Sequence, residues 1–206
     1  VQVEETVTPV VVQLCSFNLQ GSQGIYVQGS DVTSRIPWPC GGIIIRDNSI
    51  RGPRRGIIVD GAVHRILLAG NRISHTTVSA IHLHSLMKTA REITIANNTF
   101  FENRQALQLR HDVTLPYRGE DVTIANNLVL ACSQPDMVFL DSAGEQQSIR
   151  GPGDGKALLG LWRWANNWRE AQPPTGDSAE DKGWIPPAAA DVLQEKISGL
   201  AQDASS

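Results

Sequence analysis

An asparagine recurs within a fixed pattern of apolar residues, and this repeat constrains the fold more than any other feature of the chain. Four eight-residue segments superpose with apolar residues at positions one, three and eight and asparagine at position six: Ile43–Ile50, Ile66–Ile73, Ile93–Phe100 and Val122–Val129. The asparagines are Asn48, Asn71, Asn98 and Asn127, and a degenerate fifth copy adds Asn167 in the same register. A repeat of 23 to 29 residues is typical of a chain that winds in stacked turns.

Each repeat also contains a second segment in which apolar and outward positions alternate. These segments are Gly24–Gln28, Gly56–Asp60, Ala80–His84, Ala106–Arg110 and Met137–Asp141. Alternation with a period of two predicts strands with one buried face, and their close spacing leaves no room for βαβ units of about 30 residues. Because up-and-down hairpins do not explain one asparagine per repeat, we predict three short strands per turn. The asparagine is expected to adopt the left-handed conformation at a corner and to bond to its neighbours in a ladder.

The I-x-I-x-x-N-x-[I/F] and G/A-[I/L]-x-[V/L] units resemble the repeats of the pectate-lyase-like superfamily of right-handed parallel β-helices. The resemblance covers residues 12–169. It implies an all-β fold, a right-handed single-stranded parallel β-helix of about six coils over residues 1–169. In many members of that superfamily, catalysis takes place on the outer face of the sheet that the G/A-I-x-V strands form.

The C-terminal residues 170–206 have a different composition. Residues 170–187 are rich in proline, glycine and charge, which predicts irregular structure. Apolar residues near helical spacing predict one short amphipathic helix over residues 188–200. This tail is similar to those that follow β-helices in planctomycete-type proteins, some of which carry a kinase domain upstream. The similarity implies that the chain is part of a larger multidomain protein, although the chain itself contains no kinase motif.

Alignment of the second segments predicts an outer face with two columns of side chains. The last outward position carries Gln28, Asp60, His84, Arg110 and Asp141. The outward position two residues earlier carries Tyr26, Ile58, His82, Gln108 and Phe139. His111 and Asp112 follow directly after Arg110. A cluster of titratable groups of both signs is what acid–base chemistry on a sugar ring needs.

Three functions stay open for this face. The first is recognition of a polysaccharide, which the fold resemblance favours, with six binding residues: Tyr26, His82, Gln108, His111, Asp112 and Phe139. The second is a polysaccharide lyase, an epimerase or a glycoside hydrolase with four catalytic residues: Asp60, His84, Arg110 and Asp141. In such an enzyme Arg110 acts as the base or neutralises a uronate carboxylate, and His84 is an alternative proton carrier. The third is a structural β-helix whose outer charges only keep it in solution.

No cofactor follows from these patterns. Ca²⁺ is the cation that would suit Asp60, Asp112 and Asp141, because it prefers carboxylate oxygens. His82 and His84 are two residues apart on a predicted strand, a spacing that some zinc sites use. Such pairs are more often ordinary surface residues, so we predict no metal ligand among them.

Charge and hydropathy exclude two classes of partner. The net charge of −3 argues against nucleic acid, which usually requires a basic excess. No apolar run approaches the roughly 18 residues of a membrane span. Because the sequence has neither an initial methionine nor a signal-peptide pattern, we expect a mature form or a fragment of an extracellular or periplasmic protein. The three cysteines form no disulfide framework, and Cys15 and Cys132 are predicted to be buried.

Overall fold

The computed structural model describes residues 2–4, 10–29, 40–84, 90–110, 120–133, 137–140, 146–148 and 163–169. These residues form strands and connecting turns, and none of them lies in a helix. The strands are β1 Gln2–Glu4, β2 Val10–Gln13, β3 Ser16–Asn18, β4 Gln23–Gln28, β5 Cys40–Arg46, β6 Ser49–Arg51, β7 Arg55–Asp60, β8 Val63–Ala69, β9 Arg72–Ser74, β10 Ser79–His84, β11 Arg91–Ala96, β12 Thr99–Phe101, β13 Leu107–Arg110, β14 Glu120–Ala125, β15 Leu128–Leu130, β16 Met137–Leu140, β17 Gln146–Ser148, β18 Arg163–Ala165 and β19 Trp168–Arg169. The predicted tail of residues 170–206, including the helix over 188–200, lies outside the described residues.

The strands form three sheets, and each turn adds one strand to each sheet, except that both β16 and β17 join sheet A. Sheet A has the order β1-β4-β7-β10-β13-β16-β17, sheet B has β18-β14-β11-β8-β5-β2, and sheet C has β19-β15-β12-β9-β6-β3. Neighbouring strands are parallel, apart from the antiparallel pair β16–β17. The chain is therefore an all-β parallel β-helix, as the sequence predicts. Its handedness, its number of coils and the boundary at residue 169 stay predictions.

Aliphatic side chains from the three sheets fill the interior. Residues at equivalent positions of successive turns pair in register, so each sheet contributes a column of buried side chains. The largest of these are Ile25, Ile57, Ile81 and Leu83 in sheet A, Ile43, Ile45, Ile66, Leu68 and Ile93 in sheet B, and Ile50 and Ile73 in sheet C. Burial of one such side chain stabilises the fold by about 1.5–3 kcal/mol.

The predicted asparagine ladder is present at the corner between sheets B and C. Nδ2 of Asn48 donates to Oδ1 of Asn71 at 3.0 Å, and the same bond links each ladder asparagine to the next, as far as Asn167. Each Oδ1 also accepts the backbone N–H of the asparagine one turn earlier. All five side chains are buried. The register predicted for Asn167 is confirmed.

The sequence predicts that the ladder asparagine is left-handed, and this prediction is wrong. The left-handed residue at this corner is the one before the asparagine. Asp47, Asn97, Asn126 and Asn166 have φ of 55°, 57°, 55° and 52°, and Gly70 has φ of 64°. The left-handed residue turns the chain from the strand of sheet B to the strand of sheet C. The side chain that follows it lies inside the corner, where its amide contacts the neighbouring turns.

The first turn also differs from the prediction. Cys15 occupies the ladder position there, because its backbone N–H donates to Oδ1 of Asn48 at 3.0 Å. Asn18, three residues later, lies at the end of β3 and pairs with Arg51. Cys15 is exposed and Cys132 is half-buried, so the prediction that both are buried is wrong.

Candidate functional site

Sheet A brings the predicted surface columns together over four turns. Tyr26, Ile58, His82 and Gln108 pair in register on neighbouring strands. Gln28, Asp60, His84 and Arg110 do the same at the position two residues later. The alternation in the sequence therefore predicts the correct register for β4, β7, β10 and β13. The side chain of Arg110 lies outside the described residues.

The predicted register is wrong by one residue on the next strand, β16. Leu140, and not Asp141, pairs with Arg110, and Phe139 pairs with Leu109 instead of Gln108. Phe139 therefore takes the register of a buried position. The physical reason is that residues 137–140 are all apolar, so that no polar residue marks the outer face. His111, Asp112, Asp141 and the side chain of Phe139 lie outside the described residues.

The outer face of sheet A is less open than the sequence predicts. Ile58, His82 and Gln108 are only 6%, 3% and 6% exposed. The sequence predicts outward positions for His82 and Gln108, but neither side chain is open to solvent; their contact with a polysaccharide stays a prediction. Tyr26, Asp60 and His84 are half-buried. We call these three residues the edge cluster, because they lie toward the C-terminal ends of strands β4, β7 and β10.

Asp60 holds the edge cluster together. Its Oδ2 accepts a hydrogen bond from the Tyr26 hydroxyl at 2.7 Å and lies 3.1 Å from Nδ1 of His84. Since an ionised carboxylate only accepts, Nδ1 of His84 carries the proton in this contact. In the neutral ring the lone pair is then on Nε2, which can accept a proton or bind a metal ion.

His82 lies beside the edge cluster as a buried, neutral imidazole. Its ring centroid is 5.5 Å from that of His84, with 36° between the ring planes. Burial, together with the charges of Arg55 and His84, lowers the pKa of His82 to about 3. Among the described residues, Nδ1 of His82 has no hydrogen-bond partner.

Gln108 continues this buried polar region on the next strand. Its Nε2 donates to Oε1 of Gln105 at 3.0 Å, and its own Oε1 has no partner among the described residues. Sequence reasoning missed Gln105, which precedes the alternating segment. The chain places it near the outer face through a turn, and turn residues follow no period.

The described residues do not support a Ca²⁺ site. Within the ranges that the structure describes, no group of three or more His, Cys, Asp or Glu side chains is placed to hold a metal ion. Ca²⁺ takes six to eight oxygen ligands, whereas the Asp60 carboxylate already binds Tyr26 and His84. Asp112 and Asp141, the other expected ligands, lie outside the described residues. No helix in the described part of the chain is long and apolar enough to cross a membrane.

Comparison with known protein families finds a match for most of the chain. A family model described as periplasmic copper-binding protein (NosD) matches residues 6–149. This span includes β4, β7 and β10 and hence the whole edge cluster. No curated protein and no solved structure matches the chain.

Proposed function

The chain belongs to the NosD family of periplasmic β-helix proteins, and we propose that it recognises a polysaccharide through the edge cluster of sheet A. The family agrees with the extracellular or periplasmic location expected from the sequence. In that compartment a β-helix meets polymeric sugars, which offer many hydroxyl groups and a flat apolar face.

The observation that carries the proposal is the pair of contacts that Asp60 makes with Tyr26 and His84. These contacts fix a phenol ring, a carboxylate and an imidazole on three neighbouring strands, about 4.8 Å apart. Fixed polar groups next to an aromatic ring provide hydrogen bonds and an apolar surface at once, the combination typical of small-molecule and sugar sites.

Affinity electrophoresis in gels that contain uronate-rich or neutral polysaccharide, with and without Ca²⁺, tests the proposal. We expect the unmodified chain to be retarded by at least one of these polymers. Asp60→Asn should weaken binding at least tenfold, because it removes the charged acceptor that positions Tyr26 and His84. Glu102→Gln is the matched control, since Glu102 contacts His75 at 2.8 Å and neither residue belongs to the edge cluster.

Two results contradict the proposal. Equal retardation of the Asp60→Asn variant would remove the edge cluster from the binding site. No retardation in any gel would leave a structural β-helix module, which is the third function that the sequence allows.

The contact between Asp60 and His84 favours catalysis as a second candidate function. A carboxylate that binds one imidazole nitrogen orients the other as a general base, and Arg110 is next to His84 in register. A lyase that uses His84 produces an unsaturated sugar, which ultraviolet absorbance detects. His84→Ala should abolish this product without a change in melting temperature. Activity that survives the substitution would exclude His84 from the mechanism.

The family description names copper, and sheet A contains imidazole nitrogens, a type of donor atom that binds copper. Imidazole nitrogen is a common copper ligand, and His82 and His84 supply two such rings on one strand. Within the described ranges no third ligand joins them, so any copper ion held there has only two protein ligands from this part of the chain.

A further inference from the structure

We propose that the outer face of sheet C binds an anionic polysaccharide through the guanidinium groups of Arg51 and Arg72. This face lies on a different sheet from the edge cluster, so the inference goes beyond the proposed function and does not depend on it. It names a second surface of the chain and the charge of the polymer that this surface fits.

Strands β3, β6, β9 and β12 form the face over successive turns of sheet C. The central residue of each strand packs in the core, as Ile50, Ile73 and Phe100 do. Because side chains alternate along a strand, the residues on either side of it lie on the outer face. They form two columns in register: Ser16, Ser49, Arg72 and Thr99 in one, and Asn18, Arg51, Ser74 and Phe101 in the other.

This face is open to solvent and carries no acidic side chain at these positions. Ser74 and Thr99 are half-buried, and the other residues of the two columns are exposed. On sheet A, by contrast, His82 and Gln108 are buried at the equivalent outward positions. A polymer must lie along several turns at once, and sheet C offers the open surface that this requires.

The two arginines of the face have no partner of their own. Arg51 and Arg72 are exposed, and no hydrogen bond or ion pair joins either guanidinium to a neighbour in the described ranges. They lie on neighbouring strands and two residues apart in register, which places their Cα atoms about 8 Å apart. A guanidinium binds an oxyanion such as a carboxylate with two parallel hydrogen bonds. One anionic chain can therefore contact both arginines.

The corners that flank sheet C add to its positive charge. Arg54 and Arg104 lie at the corner between sheets C and A, where both are exposed and neither has an ion pair within the described ranges. The acidic residues of the two corners already have basic partners nearby. These pairs are His75 with Glu102, and Arg46 with Asp47.

The uncharged residues of the face favour a sugar polymer over an anionic membrane. The hydroxyl groups of Ser49, Ser74 and Thr99 and the ring of Phe101 offer hydrogen bonds next to an apolar surface, a combination that sugars use. Binding at a membrane interface requires a larger buried apolar area. Phe101, at 41% exposure, is the only exposed large apolar side chain of these four strands.

The acidic C-terminal segment of the chain is the competing occupant of this face. Residues 170–206 contain seven acidic and two basic residues, and they directly follow β19 of sheet C. Arg51 and Arg72 are nevertheless exposed and without an ion pair in the described part of the chain. Their exposure favours a partner from outside the chain.

Biolayer interferometry of the full chain on immobilised polymers tests the inference. The polymers are dextran sulfate, polygalacturonate and neutral dextran, so that sulfate, carboxylate and uncharged sugar are compared directly. We expect the chain to bind at least one anionic polymer more tightly than neutral dextran. This preference should weaken as salt is raised, because salt screens exposed charges.

Two double variants with the same change of charge locate the site. Arg51→Gln with Arg72→Gln should raise the Kd for the anionic polymer about tenfold, because both charge-assisted contacts are lost, with no change in melting temperature. The matched control is Arg91→Gln with Arg163→Gln. These arginines lie on sheet B, each within 4 Å of a carboxylate oxygen, and their substitution should leave the Kd nearly unchanged. Both variants keep the edge cluster intact.

Three results overturn the inference. Equal weakening in the two double variants would mean that the overall charge of the chain, and not sheet C, attracts the polymer. No preference for either anionic polymer over neutral dextran would remove the proposed ligand. If the Arg51→Gln, Arg72→Gln variant then also melts at a lower temperature, the acidic segment 170–206 is the occupant.

Vesicles of phosphatidylglycerol provide the last comparison. Tighter binding to these vesicles than to either anionic polymer would overturn the choice of a polysaccharide. All of these results are separate from the test of the proposed function, which depends on Asp60→Asn.

Discussion

The corner between sheets B and C and the corner between sheets C and A both begin with a left-handed residue, but different side chains follow it. Both place a left-handed residue in successive turns, and the second corner uses Gly52, His75, Glu102 and Ala131 with φ of 76°, 58°, 49° and 49°. The next position holds the asparagine ladder at the first corner. At the second corner this position holds Pro53, Thr76, Asn103 and Cys132.

The difference shows that a left-handed residue at a corner does not require an asparagine ladder after it. At the second corner Asn103 makes the same kinds of bond as a ladder asparagine, accepting from the N–H of Thr76 at 3.0 Å and donating to the carbonyl of Ile73 at 2.8 Å. Backbone hydrogen bonds between turns continue there with other residues at this position, as from Arg104 to Thr76. The ladder therefore stabilises a turn that stacked strands already form.

Removal of a central ladder amide should have the largest effect. Asn98→Ala leaves the N–H of Asn71 and the carbonyl of Leu68 without their partners and breaks two bonds between side chains. We expect a loss of about 3–5 kcal/mol in the free energy of unfolding, measured by urea denaturation. If the free energy of unfolding falls by less than about 1 kcal/mol, the ladder amide does not stabilise its corner more than other residues stabilise the second corner.

The equivalent substitution at the second corner should lower the free energy of unfolding by a smaller amount. Asn103→Ala removes the two bonds to Thr76 and Ile73 and breaks no ladder. We expect a loss of about 2 kcal/mol, measured in the same urea titration. A loss as large as that of Asn98→Ala would mean that a continuous ladder adds nothing beyond its separate bonds.

Two glycines at left-handed positions test how rigid each corner is. A Cβ at Gly52 would clash with the backbone oxygen of Leu19, whereas a Cβ at Gly70 would clash with the side-chain Oδ1 of Asp47. The carboxylate can move and the backbone cannot. We therefore expect Gly52→Ala to lower stability by about 2–3 kcal/mol and Gly70→Ala by about 1 kcal/mol. Thermal unfolding of both variants measures the difference, and the reverse order would contradict this explanation.

Replacement of the left-handed Ala131 by glycine should have the smallest effect on stability, and it should stabilise the protein instead of destabilising it. Ala131 has φ of 49°, which costs an L-residue about 1–2 kcal/mol, while glycine adds about 0.5–1 kcal/mol of unfolded-state entropy. Ala131→Gly should therefore raise the free energy of unfolding by about 0.5 kcal/mol. Calorimetry that shows a lower melting temperature would rule out strain at this corner.

Positions that repeat from turn to turn are predicted from the sequence, and positions that do not repeat are missed, in the candidate site as at the two corners. His82 and His84 are predicted in the correct columns because polar residues alternate with Ile81 and Leu83, which must be buried. Residues 137–140 contain no polar residue, so the pattern predicts the wrong register there. Asn103 was not predicted because it recurs in no other turn and therefore produces no periodic signal.

The sequence by itself determined the stacked coil, the three-sheet interior and the ladder from Asn48 to Asn167, because side chains that bond to their own copies must recur once per turn. Only the tertiary structure decided that His82 is buried while His84 stays half-exposed, and that Asp60 binds both Tyr26 and His84. Alternation specifies the face of a strand on which a side chain lies. It does not specify what packs against that face, because such contacts join residues distant in the sequence.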